Sequence, residues 1–319
     1  MLHIDPFAAT DVEYAAVVAV NHALYADDDS NVEEMRHYDS SRNPDYLYQR
    51  YVLRWDDDIA GYGMLYVPYW AYVPGRYSLY IAVHPTYQRR GIGSAFYDFA
   101  LEQLAQQEEA VSVVHAHTRS ETPQGIRFLV ARGFVQVMRW WDSRLDLATF
   151  APEEYAPLLA KLAAAGVEII TAAEFATRNP DWQRSIYDVD REATLDEPQP
   201  TPPTPLSFED YCKFVFANPN FRAERIFVAV DDNRAVGMTE LPLNPVDPEN
   251  LHTGFTGIAR SHRRRGIATA LKAAALTYAK ETGAHTVSTG NEENNPMYAI
   301  NLQMGFEPTG ARLAYEKQF

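Results

Sequence analysis

Gln88-Arg89-Arg90-Gly91-Ile92-Gly93 recurs in the second half of the chain as Arg263-Arg264-Arg265-Gly266-Ile267-Ala268. Each copy lies between an apolar, strand-like run and a run with helical spacing. A basic, glycine-containing turn that opens a helix gathers unpaired backbone N–H groups at the positive end of the helix dipole, which is the environment that a pyrophosphate needs. The sequence therefore predicts two phosphate-binding turns, called here the first cradle (residues 88–93) and the second cradle (residues 263–268).

The sequence around the two cradles repeats in the same order. Each cradle is preceded by a predicted strand and followed by a predicted helix, a β-rich run and a short helix that ends in Gly-Phe. In the first half these features are residues 78–84, 94–106, 111–117 and Gly133-Phe134. In the second half they are residues 252–259, 269–280, 285–289 and Gly305-Phe306. The chain is therefore interpreted as a tandem duplication.

This pattern resembles the GNAT superfamily of acyl-CoA-dependent N-acyltransferases, whose signature Arg/Gln-x-x-Gly-x-Gly/Ala lies between the fourth strand and the third helix. The resemblance covers nearly the whole chain. It implies an α/β (α+β) fold with two tandem domains, each a mixed, mostly antiparallel, splayed sheet flanked by helices. It also implies that acetyl-CoA is the co-substrate, with its pantetheine arm in the splay and its pyrophosphate in a cradle. The tandem arrangement is similar to that of mycothiol synthases, which acetylate a Cys-derived amine.

The resemblance implies a set of residues that bind coenzyme A. In the first half they are Val83, Gln88, Arg89, Arg90, Gly91, Ile92, Gly93 and Ser94. In the second half they are Ile258, Arg263, Arg264, Arg265, Gly266, Ile267, Ala268, Thr269 and Asn294. A nucleoside triphosphate or NAD is a poorer match, because both cradles lack the Gly-Lys-Ser/Thr ending of a P-loop and the G-x-G-x-x-G of a dinucleotide fold.

Composition and charge narrow the class of protein. The 319 residues suit two domains of about 150 residues each, and the net charge of −15 argues against a nucleic-acid partner. No stretch approaches the roughly 20 apolar residues of a membrane span, and residues 1–5 lack the features of a signal peptide, so we expect a cytoplasmic protein.

The single cysteine, Cys212, excludes an internal disulfide and is expected to be a buried or bystander thiol. His115 and His117 share a strand face, but without further ligands nearby they predict no metal site.

The predicted domains are residues 1–155 and 167–319, joined by a connecting helix at 156–166 that Gly166 caps. The proline-rich segment Pro198–Pro205 is expected to be a stiff loop that either borders the acceptor pocket of the second domain or runs over the surface. Acidic clusters at residues 56–58 and 231–233 precede glycine-bearing strands and are typical of hairpin turns.

Acyl transfer to an amine needs a group that accepts a proton from the amine and a group that stabilises or protonates the departing thiolate. The resemblance implies a Glu or a water chain as base, a Tyr four residues before Gly-Phe as acid, and an Asn seven residues before that Tyr that holds the pantetheine or the helix start. In the second half Asn294 takes the Asn position, while Asn301 takes the Tyr position. An Asn side chain cannot act as an acid, but its amide could hydrogen-bond the sulfur or the thioester. Tyr298, on the same helical face, could supply the proton or could be a packing aromatic.

Glu240 is the candidate base, because it lies at the far end of the predicted third strand, on the acceptor side of a splayed sheet. Aligned on the repeat, the first half has Met64 at this position, Thr122 at the Asn position and Leu129 at the Tyr position. We therefore expect the C-terminal domain to catalyse transfer. The N-terminal domain is expected to bind acyl-CoA weakly or only to support its partner.

The sequence thus predicts an acetyl-CoA-dependent N-acetyltransferase that acts by direct attack of a primary amine of a small molecule or peptide in a ternary complex. The acidic chain favours a cationic acceptor such as a polyamine, an aminoglycoside or an amino sugar. The acceptor, the acyl chain preference and the choice between monomer and homodimer stay open. An alternative is a non-catalytic acyl-CoA-binding sensor or scaffold.

Overall fold

The computed structural model describes all 319 residues of the chain. They form two compact units: unit 1 comprises Met1–Met138, Pro200–Thr204 and Arg312–Phe319, and unit 2 comprises Arg139–Gln199 and Pro205–Ala311. Each unit therefore contains most of one half of the sequence repeat together with a strand segment from the other half. None of the helices combines the length and the apolar character that a membrane crossing requires.

The predicted mixture of helices and strands is present in both halves. The helices are α1 (Asp11–Leu24), α2 (Val32–Ser41), α3 (Ile92–Leu104), α4 (Pro123–Val130), α5 (Ala156–Ala164), α6 (Ala172–Arg178), α7 (Trp182–Thr194), α8 (Phe208–Tyr211), α9 (Ile267–Glu281) and α10 (Pro296–Gln303). The strands are β1 (Leu2–Pro6), β2 (Tyr48–Trp55), β3 (Asp58–Tyr66), β4 (Arg76–Val83), β5 (Val113–Arg119), β6 (Val135–Asp146), β7 (Val167–Thr171), β8 (Ile226–Asp231), β9 (Arg234–Glu240), β10 (Asn250–His252), β11 (Thr256–Ile258), β12 (Thr286–Glu292) and β13 (Glu307–Gln318).

Local sequence signals explain where several of these elements begin. The Thr10 hydroxyl accepts a hydrogen bond from Glu13 N and opens α1, and Thr171 and Glu174 form a capping box at the start of α6. The acidic clusters form the predicted hairpin turns: Asp56 separates β2 from β3, and Asp232 with Asn233 separates β8 from β9, all three with positive φ. The acidic clusters are therefore explained by turn geometry.

In unit 1 the strands follow the order β1-β2-β3-β4-β5-β13. All neighbouring pairs are antiparallel except β4 and β5, which run parallel. Residues 76–79 of β4 pair with β5, whereas residues 80–83 pair only with β3. The sheet therefore opens between β4 and β5 at Tyr80, as the predicted splay requires.

In unit 2 the splay is wider, and the strand predicted at residues 252–259 is divided in two. Its first part, β10, runs parallel to β12, which pairs on its other side with β6. Its second part, β11, pairs antiparallel with β9 in a separate sheet of order β11-β9-β8-β7. Residues 253–255 carry the chain from one sheet to the other, so the prediction of one continuous strand was wrong and the prediction of a splayed sheet is confirmed.

Each unit receives a strand segment from the other half of the sequence. Residues 312–318 of β13 pair with β5 in unit 1. Residues 140–146 of β6 pair with β12 in unit 2. The closing strand of each repeat therefore completes the sheet of the opposite repeat.

Strand β9 positions the site in unit 2 because a helix packs on each of its faces. On one face, Met238 lies in a buried cluster with Ile186 and Val189 of α7. On the other face Gly237 leaves room for α9, since a Cβ atom there would approach Ile267 Cγ2 to 3.2 Å. Glu240, two residues after Met238, shares the α7 face because strand side chains alternate.

The middle of the proline-rich segment is attached to unit 1. Residues 200–204 belong to unit 1, where Thr204 N donates to Trp70 O at 2.6 Å and Arg76 Nη1 donates to Thr201 Oγ1 at 2.9 Å. Thr201 is only 4% exposed. Pro202 and Thr204 are exposed, so the middle of the segment runs along unit 1 with one buried anchor at Thr201.

Candidate active site

The two cradles follow the same backbone course. Arg89 and Arg264 have φ values of +65° and +64°, and Gly91 and Gly266 have φ values of +81° and +83°. A left-handed residue without a Cβ atom is the least strained choice at the second of these positions, which explains the glycine in each copy. The glycine is the N-cap of α3 in unit 1 and of α9 in unit 2.

Each cradle presents the backbone N–H groups of the first helical turn. The first intrahelical hydrogen bonds run from Ala95 N to Gly91 O at 3.0 Å and from Ala270 N to Gly266 O at 3.1 Å. The N–H groups of Ile92, Gly93 and Ser94, and of Ile267, Ala268 and Thr269, precede those bonds and have no partner within the helix. They lie at the positive end of a helix dipole and can hold a pyrophosphate.

The first residue of each cradle also ties the turn to the preceding strand. Gln88 Nε2 donates to Val83 O at 3.0 Å, and Arg263 Nε donates to Ile258 O at 3.0 Å. These equivalent bonds show why Gln and Arg can exchange at this position, since both carry an N–H group at a suitable reach. In both units the side chain helps to build the cradle.

The basic side chains of the second cradle divide into bound and free ones. Asp196 accepts hydrogen bonds from Arg260 Nε at 2.8 Å and Nη2 at 2.7 Å, and it pairs with Arg263 Nη1 at 2.7 Å. The Arg260 guanidinium, with Arg263, holds the pKa of the Asp196 carboxyl well below its usual range. Arg265 Nη1 lies 4.0 Å from Asp231. Arg264 is exposed and forms no ion pair, so it is the cation free to meet a phosphate.

The first cradle has a similar distribution with one difference. Arg89 is exposed and unpaired like Arg264, whereas the Arg90 guanidinium lies 5.5 Å from the ring centroid of Trp55. The Ser94 hydroxyl accepts a hydrogen bond from Arg132 Nη2 at 2.8 Å. Ser94 is therefore already engaged within unit 1, while its counterpart Thr269 has no such bond.

Beside each cradle the sheet offers an open strand edge. Strand β11 pairs with β9 on one side only, and residues 80–83 of β4 pair with β3 only. An unpaired edge exposes backbone N–H and C=O groups to a ligand that can complete the ladder. The two amides of a pantetheine arm fit such an edge, which includes the predicted positions Val83 and Ile258.

The start of α10 departs in detail from the predicted arrangement. Asn295 caps the helix, because its Oδ1 accepts from Met297 N at 2.9 Å. The side chain of Asn294 is instead turned to Glu292, with Nδ2 to Oε1 at 2.9 Å. Of the two roles considered for Asn294, the helix start belongs to its neighbour.

Tyr298 and Asn301 lie on α10 in different environments. The half-buried Tyr298 ring stacks on Trp141, with centroids 6.5 Å apart and an interplanar angle of 11°. Asn301 is fully buried, and its Nδ2 donates to Asn291 Oδ1 on β12. The Asn301 Oδ1 atom has no hydrogen-bond partner. Tyr298 thus keeps a hydroxyl that can donate, whereas the amide of Asn301 is already bound to β12.

Glu240 ends β9 in a half-buried position. Its Oε2 accepts a hydrogen bond from Phe255 N at 3.1 Å in the segment that joins β10 to β11. Gly254 lets the carboxyl lie there, since a Cβ atom on Gly254 would approach Glu240 Oε2 to 2.4 Å. Desolvation, followed by the charge of Asp190, raises the pKa of Glu240 to about 7. A carboxyl with this pKa exchanges protons readily near neutrality.

The equivalent position in unit 1 is Met64. Strand pairing confirms the alignment, because Gly61 is opposite Val83 in unit 1 and Gly237 is opposite Ile258 in unit 2. Met64 packs against an apolar and aromatic cluster, and Tyr48 Oη lies 3.9 Å from its sulfur. Unit 1 therefore has no carboxylate at the position of Glu240.

Two residues near Glu240 were not predicted from the sequence. Asp190 lies on α7, and Tyr211 ends α8 with a buried ring. A signal for Asp190 was present: it follows Ile186 by four positions and so lies on the core-facing stripe of α7, where a carboxyl is unusual. No comparable pattern marks Tyr211, since the chain between α7 and α8 has no clear counterpart in the first half.

Two splayed mixed sheets, each with a basic left-handed turn at a helix N-terminus, define the fold of a coenzyme-A-dependent acyltransferase. The model of the acetyltransferase (GNAT) family matches residues 18–134 and 184–306, and the chain belongs to this family. No group of three or more His, Cys, Asp or Glu side chains is arranged to hold a metal ion. A search of curated proteins finds no match.

Solved structures with the same fold include a tandem protein. A tandem GNAT protein from the clavulanic acid biosynthesis pathway, determined without acetyl-CoA, is 22% identical with a TM-score of 0.71, covering 100% of this chain and 98% of that one. A GCN5-related N-acetyltransferase from Sphaerobacter thermophilus is 18% identical with a TM-score of 0.67, covering 99% and 95%. A glucosamine N-acetyltransferase region of a fungal multi-domain β-N-acetylglucosaminidase is 14% identical with a TM-score of 0.68, covering 99% of this chain and 38% of that chain. These likenesses show the fold.

Proposed function

We propose that this protein transfers an acetyl group from acetyl-CoA to a primary amine of a small molecule or peptide, and that unit 2 performs the transfer. The observation that carries the proposal is Glu240, a carboxyl of raised pKa at the end of β9. It lies on β9, which pairs with one edge of β11 and leaves the other edge of β11 open. Unit 1 has a similar cradle and a similar edge but has Met64 in place of the carboxyl.

The proposed reaction begins with the amine, which is protonated near neutral pH if its pKa is about 10 as in lysine. The Glu240 carboxylate accepts a proton from the ammonium and becomes a neutral carboxyl. The freed nitrogen lone pair attacks the thioester carbonyl carbon, and the C–S bond breaks as the thiolate leaves. The nitrogen loses its second proton to solvent as the amide forms, and a solvent proton restores the group that protonates the thiolate. The Tyr298 hydroxyl is the candidate proton donor to that sulfur. Asn301 is buried and its Nδ2 donates to Asn291 Oδ1, so its role is to hold α10 against β12.

Pyrophosphate binding is assigned to the cradles. In unit 2 the N–H groups of residues 267–269 and the Arg264 side chain would hold it, and the edge of β11 would hold the pantetheine arm. In unit 1 the corresponding groups are those of residues 92–94 and Arg89, so unit 1 either binds acyl-CoA weakly or supports the fold. A protein with two cradles and no turnover would be an acyl-CoA sensor or scaffold.

The proposal is tested by placing a carboxylate in one cradle at a time. Gly93→Glu and Ala268→Glu occupy equivalent positions in the first helical turn, where an acidic side chain favours the helix. A Cβ on Gly93 meets only ordinary contacts, the nearest at 3.6 Å to Phe128. The like charge should repel a pyrophosphate in the altered cradle without disturbing the other one.

We expect calorimetric titration with acetyl-CoA to show that Ala268→Glu weakens binding at least tenfold, while Gly93→Glu leaves the tighter site intact. The reverse pattern would move the working site to unit 1. Absence of acetyl-CoA binding to the unaltered protein would overturn the acyltransferase proposal.

A further inference from the structure

A second carboxyl faces Glu240 inside unit 2. Glu240 and Met238 share one face of β9, and Met238 packs with Ile186 and Val189 of α7. Asp190 follows Ile186 by four positions and so lies on the same side of α7. The charge of Asp190 contributes, after desolvation, to the raised pKa of Glu240. The two carboxyl groups therefore lie near one another where α7 packs on β9.

A buried hydroxyl completes this group of side chains. Tyr211 is 4% exposed, and its ring packs at 5.3 Å from Tyr187 and 5.4 Å from Phe216. Burial raises its pKa well above the usual value, and the charges of Asp190 and Glu240 raise it further. The hydroxyl thus lies close to both carboxyls and is within reach of Asp190 as a hydrogen-bond donor, although this contact falls outside standard hydrogen-bond geometry. A buried hydroxyl with such a contact can also bind a ligand that enters the site.

The surroundings supply no cation to the two carboxyls. The other titratable groups that influence them or Tyr211 are Glu197, which follows α7, and Cys212, which follows Tyr211, and neither carries positive charge. Protein donors satisfy only part of the acceptor capacity: Phe255 N donates to Glu240, and Thr194 Oγ1 donates to Asp190 Oδ1 at 3.4 Å. The remaining oxygen lone pairs are open to a ligand, and two carboxyls without a nearby cation favour a donor that carries positive charge.

We propose that Asp190, Glu240 and Tyr211 form the acceptor site and that they select a primary amine carrying a second cationic group, an ammonium or a guanidinium, near the reacting nitrogen. The inference rests on the acyl transfer proposed above and names its substrate class. When the ammonium passes its proton to Glu240, both of these groups become neutral. The Asp190 carboxylate then stays charged, and the second cation of the acceptor balances it. Asp190 is in this sense a specificity-determining residue, and Tyr211 positions the acceptor.

The probes are 1,4-diaminobutane, which carries two ammonium groups, and 1-aminobutane, which carries one. Calorimetric titration without an acyl donor should show the diamine binding at least tenfold more tightly than the monoamine. Asp190→Asn should remove that difference. Asp188→Asn is the matched control, because Asp188 lies two positions away, is exposed and pairs with Arg184 at 3.2 Å; it should leave the difference unchanged. Equal affinity for the two amines, or no binding of either, would overturn the inference.

The variant Tyr211→Phe tests whether the hydroxyl contributes to diamine binding or only to the stability of the fold. Because the contact of the hydroxyl with Asp190 falls outside standard hydrogen-bond geometry, its removal should lower the melting temperature little, but it should weaken diamine binding at least threefold. A variant that melts earlier and binds the diamine normally would assign Tyr211 to packing alone and count against the proposal.

Acetyl transfer distinguishes failure of this inference from failure of the proposed function. Asp190→Asn should raise KM for the diamine more than it lowers kcat. It should also move the acidic limb of the kcat profile to lower pH, since a negative charge that raises the pKa of Glu240 is gone. Turnover of monoamine and diamine that is indifferent to Asp190 would leave the acyltransferase standing and remove the substrate assignment.

Discussion

The two cradles have nearly the same backbone, whereas the ends of β3 and β9 differ in chemistry. Gly91 and Gly266 differ by only 2° in φ, and Gln88 and Arg263 make the same bond back to the strand. At the acceptor end the equivalent residues are Met64, in an apolar and aromatic cluster, and Glu240, in a group of carboxyls. The duplicated fold has thus kept the backbone of the cradle and changed the side chain at the end of the third strand of each repeat.

The comparison also shows why a site built from backbone groups tolerates substitution better than a site that depends on one side chain. A pyrophosphate cradle depends on N–H groups that nearly every residue carries, so the fold itself preserves it. A base depends on one carboxyl with a raised pKa, and one substitution abolishes it. We therefore locate the functional difference between the halves at the ends of β3 and β9, not in the cradles.

The largest effect is expected from Glu240→Gln. Loss of the base should lower kcat by about 100- to 10,000-fold, the usual range for removal of a general base, with acetyl-CoA affinity within a factor of two of the unaltered protein. Steady-state kinetics and calorimetry measure the two quantities. Met64→Leu, a change of similar volume at the equivalent position, is the control and should leave kcat unchanged. If Met64→Leu were as damaging as Glu240→Gln, the assignment of transfer to unit 2 would be wrong.

A smaller effect is expected from pH. Because Glu240 must be ionised to accept a proton and its pKa is raised to about 7, kcat should fall about tenfold per pH unit below that value. Between about pH 7.5 and 9 kcat should be nearly constant. The measurement is kcat at saturating amine across this range. An acidic limb centred near pH 4.5 would show that Glu240 is not desolvated as the structure indicates.

The sequence alone was sufficient to predict the fold and both cradles, because these depend on local signals. The glycines, the apolar periodicity and the Gly-Phe endings each act within a few residues of chain. Glu240 followed from alignment of the two halves.

The features that the sequence did not predict depend on contacts distant in the chain. Strand β6 pairs with β12 and strand β13 pairs with β5, so each pairs with a strand of the other repeat. The alternation of apolar and polar residues along β6 and β13 does not specify which repeat supplies the partner strand. Tyr211 and Asp190 meet Glu240 only through the packing of α7 and α8. The division of the predicted strand at residues 253–255 also depends on distant contacts, because the chain bends where β10 pairs with β12 and β11 pairs with β9.

The smallest expected effect is on the stability of the fold. Glu240→Met gives the end of β9 in unit 2 the side chain that the equivalent position of β3 has in unit 1. The pKa of Glu240 is raised on folding from the usual 4.5 of the carboxyl to about 7, so the folded state binds the proton more tightly than the unfolded chain does. The buried carboxylate therefore destabilises the protein above pH 7, and this cost disappears below about pH 4.5, where both states are protonated.

After allowance for partial exposure, Glu240→Met should raise the free energy of unfolding by about 1–3 kcal/mol at pH 8, and the gain should shrink as the pH falls towards 5. Urea unfolding at both pH values measures it. A gain that is the same at pH 5 and pH 8 would reflect apolar packing and not the charge. In that case the raised pKa would not be what distinguishes the acceptor end of β9 from that of β3.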